Sequence, residues 1–252
     1  MPDFDNSRWS DSRFAQEYRD QADGYVPERR SLIEIAQSLY RHWVKGSQPC
    51  RMLDLGCGDG LMVQELLKVD DSIDATLVDG SQEMLKAAGN RLARFEKKHL
   101  VNASFQNLLA QDPLQNTFSF VLSSLAIHHL AMAEKVALFE YVYRHLDPGG
   151  FFLNIDVVLS PTNDLEKWYL MLWQEWIDTH AANSQKASLL PVPQKYKDNS
   201  DNVPDPLLPQ LQTLERIGFK NVDCYYKYGV FAMFGGSKTR DQISLCAQQS
   251  PS

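Results

Sequence analysis

Met52-Leu53-Asp54-Leu55-Gly56-Cys57-Gly58-Asp59-Gly60 is the stretch whose reading decides the fold. It begins as a short apolar strand, turns on three glycines, and opens a helix over residues 61–68. A strand feeding a helix through such a turn is a local architecture for an anionic or nucleotide-like ligand. The glycines let the backbone approach the ligand, and the helix N-terminus presents unpaired N–H groups.

Working outward, the neighbours repeat this alternation. Before the turn, Leu32, Ile35, Ala36, Leu39, Tyr40 and Trp43 recur at helical spacing over residues 31–44. After it, residues 73–79 form a second apolar strand that ends on Asp79. Ser81 then has the chemistry of an N-cap for a helix to about residue 98. Strands are expected at 103–106, 118–124 and 151–158, with a helix at 133–146 stopped by Asp147-Pro148-Gly149-Gly150. Strands alternating with helices at these intervals predict an α/β fold with a mostly parallel, doubly wound sheet.

The last third changes character. Residues 164–180 carry Trp168, Tyr169, Trp173 and Trp176 on a broad helical face, and 184–206 read as a long polar, proline-rich loop. A helix at 207–217 is closed by Gly218, and strands at 221–227 and 230–234 meet at Tyr228-Gly229 as an antiparallel pair. The expected organisation is an N-terminal helical cover over residues 1–45 and a core over 46–240. A helical lid is inserted at about 160–206, and 241–252 form a flexible tail.

The turn also narrows the ligand. A dinucleotide fingerprint needs G-x-G-x-x-G, and Leu61 stands where the third glycine would be. Asp54, ahead of Gly56, would repel a phosphate and suit a cationic or amine-bearing group. Asp79, at the end of the second strand, can accept both hydroxyls of a ribose. A ribose, a positive charge and no phosphate describe S-adenosylmethionine.

Here the chain resembles the class I S-adenosylmethionine-dependent methyltransferases. The resemblance is carried by residues 53–60, by Leu77-Val78-Asp79-Gly80-Ser81 with Met84-Leu85, by Ser123-Ser124-Leu125-Ala126-Ile127-His128-His129-Leu130, and by Leu146-Asp147-Pro148-Gly149-Gly150. It implies a Rossmann-like, seven-stranded sheet with an antiparallel last strand. It also implies that Asp54 and the turn Gly56, Cys57, Gly58, Asp59, Gly60 hold the methionine part of the cofactor. Asp79 would bind the ribose, with Gly80 and Met84 beside the adenosine, Asn107 near the adenine and Leu125 bordering the sulfonium. S-adenosyl-L-homocysteine would be the product.

His128 or His129 could orient the acceptor or take its proton, because histidine titrates near neutrality; the pair could equally cap its loop and pack. Tyr18 and Tyr25 either fold over the cofactor as substrate contacts or pack on the first helix. Trp168 and Trp173 offer an aromatic wall for an acceptor, or else ordinary helix core or a homodimer face.

Composition bounds the remaining readings. The formal net charge of −7 does not favour a nucleic-acid partner. No apolar run nears the roughly 18 residues of a membrane span, and the N-terminus lacks a secretory signal. The four cysteines show no metal spacing. A cytoplasmic enzyme acting on a small-molecule acceptor is the expectation. The alternatives are a non-catalytic or carboxylated-cofactor S-adenosylmethionine binder and a nicotinamide-dependent oxidoreductase.

Overall fold

The computed structural model describes residues 24–46 and 50–240, with positions 8, 13, 14, 16 and 21. The first named helix, α1 (Arg29–Trp43), buries Leu32, Ile33, Ala36 and Tyr40. Three strand–helix units follow: β1 (Arg51–Leu55) with α2 (Leu61–Leu67), β2 (Asp74–Asp79) with α3 (Gln82–Arg91), and β3 (Lys98–Asn102) with α4 (Phe105–Gln111). β4 (Phe118–Ser124) leads through a 3-10 turn at Ile127–His129 into α5 (Met132–His145). β5 (Leu146–Val157) runs out to α6 (Asn163–His180), α7 (Asn183–Leu189) and α8 (Val192–Asp198). The fold closes with α9 (Leu207–Ile217), β6 (Lys220–Tyr228) and β7 (Phe231–Ser237).

The seven strands form one sheet in the order β3-β2-β1-β4-β5-β7-β6. The pairs among β1 to β5 are parallel, and β7 runs antiparallel to both β5 and β6. This is the expected α/β sheet with its reversed last strand. The order reverses direction between β1 and β4, and a ligand crevice is expected outside the strand ends at such a point.

Helices cover both faces, which is why the central strands are apolar on both sides. Met52, Leu77, Phe120 and Leu153 pack against α1, α2 and α3. Leu53, Leu55, Val121 and Phe152 pack against α5 and α9. The period of two along β1 therefore puts Asp54 on the same face as Met52, beneath α1 and α2. A third apolar cluster joins Val26, Val157, Trp173, Ile177, Leu189 and Phe231 beside α6 and α7. No helix among the described residues is long and apolar enough to cross a membrane.

Three sequence expectations are corrected. The third strand lies at Lys98–Asn102, and residues 103–106 instead begin α4, because the Ser104 hydroxyl caps it by accepting the Asn107 N–H at 3.1 Å. The helix after Ser81 ends at Arg91, and Leu92 to Phe95 turn the chain back toward that strand. Residues 184–206 are not one long loop, since α7 and α8 form there by burying Leu189 and packing Val192 and Tyr196 on the cluster around Trp173.

Candidate functional site

The glycine turn is held by its own backbone. The Gly56 and Cys57 N–H groups both donate to the Val78 carbonyl, at 2.8 and 3.0 Å. Gly56 has φ 68°, and a Cβ there would lie 2.4 Å from the Ala126 Cβ, so only glycine fits. Gly58 has φ 54°, and a Cβ there would meet no protein atom within 4 Å. Both glycines line the cavity, but only at Gly58 would an added side chain meet open space.

Asp79 ties the turn to the next helix. Its Oδ2 accepts the Gly58 N–H and its Oδ1 accepts the Ser81 N–H, both at 2.8 Å. Burial raises its pKa, and these two N–H groups oppose the rise. An ionised carboxylate has about four acceptor positions, so the two oxygens keep capacity for donors arriving in the cavity they line. Asp59 is engaged by the Arg91 guanidinium, whose Nε–H also donates to the Asp59 carbonyl at 2.9 Å.

Asp54 is the unusual member. It is 1% exposed, and neither carboxylate oxygen has a hydrogen-bond partner among the described residues. Burial, then the nearby negative charges of Asp79 and Asp59, push its pKa up to about 8. A buried carboxyl without a partner is unfavourable, and a cation brought beside it would relieve that. This orphaned acid and the open space at Gly58 fit a ligand bearing a positive group and no phosphate.

The cavity above the turn has a volume of about 170 Å³. Asp79, Gly80 and Met84 line one side with Ser104, Phe105 and Gln106, and Leu125 and His129 line another. Val26, Leu32 and Ile33 come from the N-terminal side. Leu125 is held at φ 55°, a left-handed conformation rare for a branched side chain, and its N–H donates to Ile155 O at 2.7 Å. Such strain at the exit of β4 accompanies functional positions.

A second chamber, of about 240 Å³, shares Val26, Leu125, His129 and Asp201 with the first. His128 lines it and is bonded at Nδ1 to Asp156 Oδ1 at 2.6 Å, both residues being buried. With Asp156 accepting, Nδ1 carries the proton and Nε2 is left as an acceptor. His129 donates Nδ1–H to the Asp201 carbonyl at 3.0 Å. Burial, then the neighbouring His128, push the His129 pKa down to about 3, so it is neutral at physiological pH.

This histidine turn is braced from the segment after α8. The Val203 N–H donates to His128 O at 2.9 Å. Lys135, 1% exposed on α5, donates to Val203 O at 2.7 Å and to Asp205 Oδ2 at 2.6 Å. α6 and the segment before α1 are also joined: the Trp173 indole N–H donates to Tyr25 O at 2.6 Å, and the Trp176 indole N–H to Glu28 Oε1 at 3.3 Å.

The structure thus gathers Gly56, Cys57, Gly58, Asp59, Asp79, Gly80, Met84, Leu125 and His129 around one cavity, with Asp54 buried nearby and Gly60 starting α2. Tyr25, Trp173 and His128 line the adjoining chamber. Trp168 is not brought there: it is half exposed on α6, with its ring tilted against that of Tyr169. Asn107 is exposed on α4 and does not line the cavity, where its neighbours Phe105 and Gln106 stand. Tyr18 lies outside the described residues. Asp156, Tyr196 and Lys135 escaped the sequence reading. Asp156 did leave a signal, a lone acid in the apolar run Phe151 to Leu159.

Residues 53–152 match a family described as a methyltransferase domain. The carboxy-S-adenosyl-L-methionine synthase of Nautilia profundicola is 21% identical over 89% of this chain and 92% of its own length. The protein of that name from Campylobacter fetus is 24% identical over 75% of this chain and 77% of its own. Among solved structures, an O-methyltransferase family protein from Burkholderia thailandensis superposes with a TM-score of 0.62 at 12% identity, covering 94% of this chain and 64% of that one. Human N-acetylserotonin methyltransferase, solved in complex with S-adenosylmethionine, gives 0.51 at 16% identity, covering 90% and 59%. The chain thus spans less than two thirds of the length of these two structures, and at these identities they speak to the fold. The matched domain supplies what the fold alone does not: residues 53–152 are a methyltransferase domain similar to the class I S-adenosylmethionine-dependent methyltransferases, with S-adenosylmethionine as the cofactor.

Proposed function

We propose that the chain transfers a methyl group to a hydroxyl of a small molecule held in the second chamber. The observation that carries this is the buried His128–Asp156 pair, whose histidine lines the second chamber next to His129, a residue both cavities share. The cofactor supplies a methyl on a sulfonium sulfur, which departs as a neutral thioether once the acceptor oxygen has taken the methyl. Asp54 would pair with its ammonium group, Asp79 would accept its ribose hydroxyls, and Met84 and Phe105 would flank the adenosine. Asp156 holds Nδ1–H of His128, so Nε2 takes the proton that the acceptor hydroxyl loses. His129 and Leu125 fix the acceptor against the cofactor cavity, since alignment alone can contribute about 7–11 kcal/mol. The segment over residues 160–206 acts as the lid, and the net charge of −7 favours a small acceptor over a nucleic acid.

The test is a panel of small phenols and thiols incubated with S-adenosylmethionine and read by mass spectrometry. His128→Asn should lower turnover about 10²- to 10⁴-fold while S-adenosylhomocysteine affinity stays unchanged. Undiminished turnover would remove the base. The curated relatives favour a second reading, in which the cofactor itself is carboxylated. The lining acids Asp59, Asp79 and Asp201 suit the plain, cationic cofactor better. With a decarboxylating carboxylic acid added as carboxyl donor, a cofactor product heavier by one carboxyl group, with no methylated acceptor, would select the second reading.

A further inference from the structure

The second chamber has a graded wall. Trp173 meets Phe231 edge to face at 4.8 Å and Tyr196 at 5.8 Å. The Trp173 indole N–H is already engaged by Tyr25, so the ring is what it offers to an occupant. Val26, Leu125 and Val157 complete the apolar part. A polar end is set by His128, whose ring lies 5.8 Å from that of Tyr196.

Arg8 and Lys195 also line this chamber. Lys195 is exposed on α8, next to the inward-facing Tyr196, and makes no ion pair among the described residues. The acids here are engaged: Asp156 by His128, and the Asp201 carboxylate by the Arg8 backbone N–H at 3.5 Å. The chamber therefore offers a proton acceptor, an aromatic and aliphatic middle, and cationic groups.

We infer that the acceptor is a single-ring aromatic hydroxy acid, with its hydroxyl at His128 and its anionic group at Lys195. Ring-on-ring contact suits the aromatic wall. A cavity of about 150 Å³ holds a benzene, so the chamber's 240 Å³ takes one ring with two substituents. Aromatic walls can also hold an ammonium group, but Lys195 and Arg8 would repel one. This inference rests on the O-methyl reading above and adds the acceptor class to it.

Calorimetry on the protein saturated with S-adenosylhomocysteine tests it with four probes: 4-hydroxybenzoate, its methyl ester, tyramine and 4-hydroxycyclohexanecarboxylate. 4-Hydroxybenzoate should bind about tenfold more tightly than the ester, the size of one charge-assisted hydrogen bond. Lys195→Met should erase that difference and leave S-adenosylhomocysteine affinity intact. Equal binding of acid and ester, tighter binding of tyramine or of the alicyclic acid, or no binding of any probe overturns the acceptor class while the cofactor reading stands. If S-adenosylhomocysteine itself fails to bind, the cofactor reading falls and takes this one with it.

Discussion

Asp54→Asn isolates the orphaned carboxyl. In the folded chain this group keeps its proton up to about pH 8, whereas an unfolded aspartate loses it near pH 4. Between those values the unfolded state binds fewer protons, so Asp54 makes stability fall as pH rises. Asparagine carries no such dependence. The advantage of Asp54→Asn over wild type should therefore widen between pH 5 and pH 8, three units at about 1.4 kcal/mol each, or about 4 kcal/mol. For a chain of this size that is a relative shift in melting temperature on the order of 10 °C. His129, whose lowered pKa makes stability rise with pH between about 3 and 6.5, acts equally in both proteins and cancels. The same substitution should weaken S-adenosylhomocysteine by about 1.5–3 kcal/mol, the worth of a hydrogen bond to a charged group. Wild-type binding below pH 8 should release a proton, visible by calorimetry in buffers of different ionisation enthalpy. Melting curves that stay parallel from pH 5 to 8 would refute the raised pKa, and unchanged affinity would refute the ammonium partner.

Asp79→Ala should weaken the cofactor by about 1.5–3 kcal/mol and loosen the turn, because Gly58 and Ser81 each lose an acceptor; equal affinity by calorimetry would rule out the ribose contact. Gly58→Val should abolish S-adenosylhomocysteine binding, since its side chain would enter the open space beside the turn and sit at a φ that branched residues avoid; a retained thermal shift on adding S-adenosylhomocysteine would put the ligand elsewhere. Lys135→Met keeps the buried length but drops both lid bonds, so it should raise the acceptor KM and lower kcat while S-adenosylhomocysteine affinity holds. Kinetics identical to wild type would remove Lys135 as a positioning residue.

What was legible in the sequence was local. The turn, Asp79 and the Ser81 cap each state their role within a few residues, and the strands at 118–124 and 151–158 are continuous apolar runs. The third strand was misplaced because Lys98–Asn102 is an edge strand, polar and half open, paired on one side only. Its stability comes from pairing to β2, which no short window reveals. The helices α7 and α8 were read as loop for a related reason: each is seven residues long, too short to stand alone, and forms on the surface of α6. The chemistry of the acceptor side follows the same rule. His128 is conspicuous in the chain, but its partner Asp156 lies 28 residues on and Tyr196 sits inside the segment read as loop.

The bond from the Trp173 indole to the Tyr25 carbonyl joins residues 148 positions apart, and it bears on how a reaction cycle ends. If the segments carrying Tyr25 and Trp173 roof the site, as proposed, this bond latches them to each other. Letting product out means breaking that latch, which costs about 1 kcal/mol net for a neutral hydrogen bond, together with any indole surface exposed to water. On the proposed lid reading, release would be a concerted opening of the segments carrying Tyr25 and Trp173, a gating step of the sort that can set turnover when the transfer itself is fast.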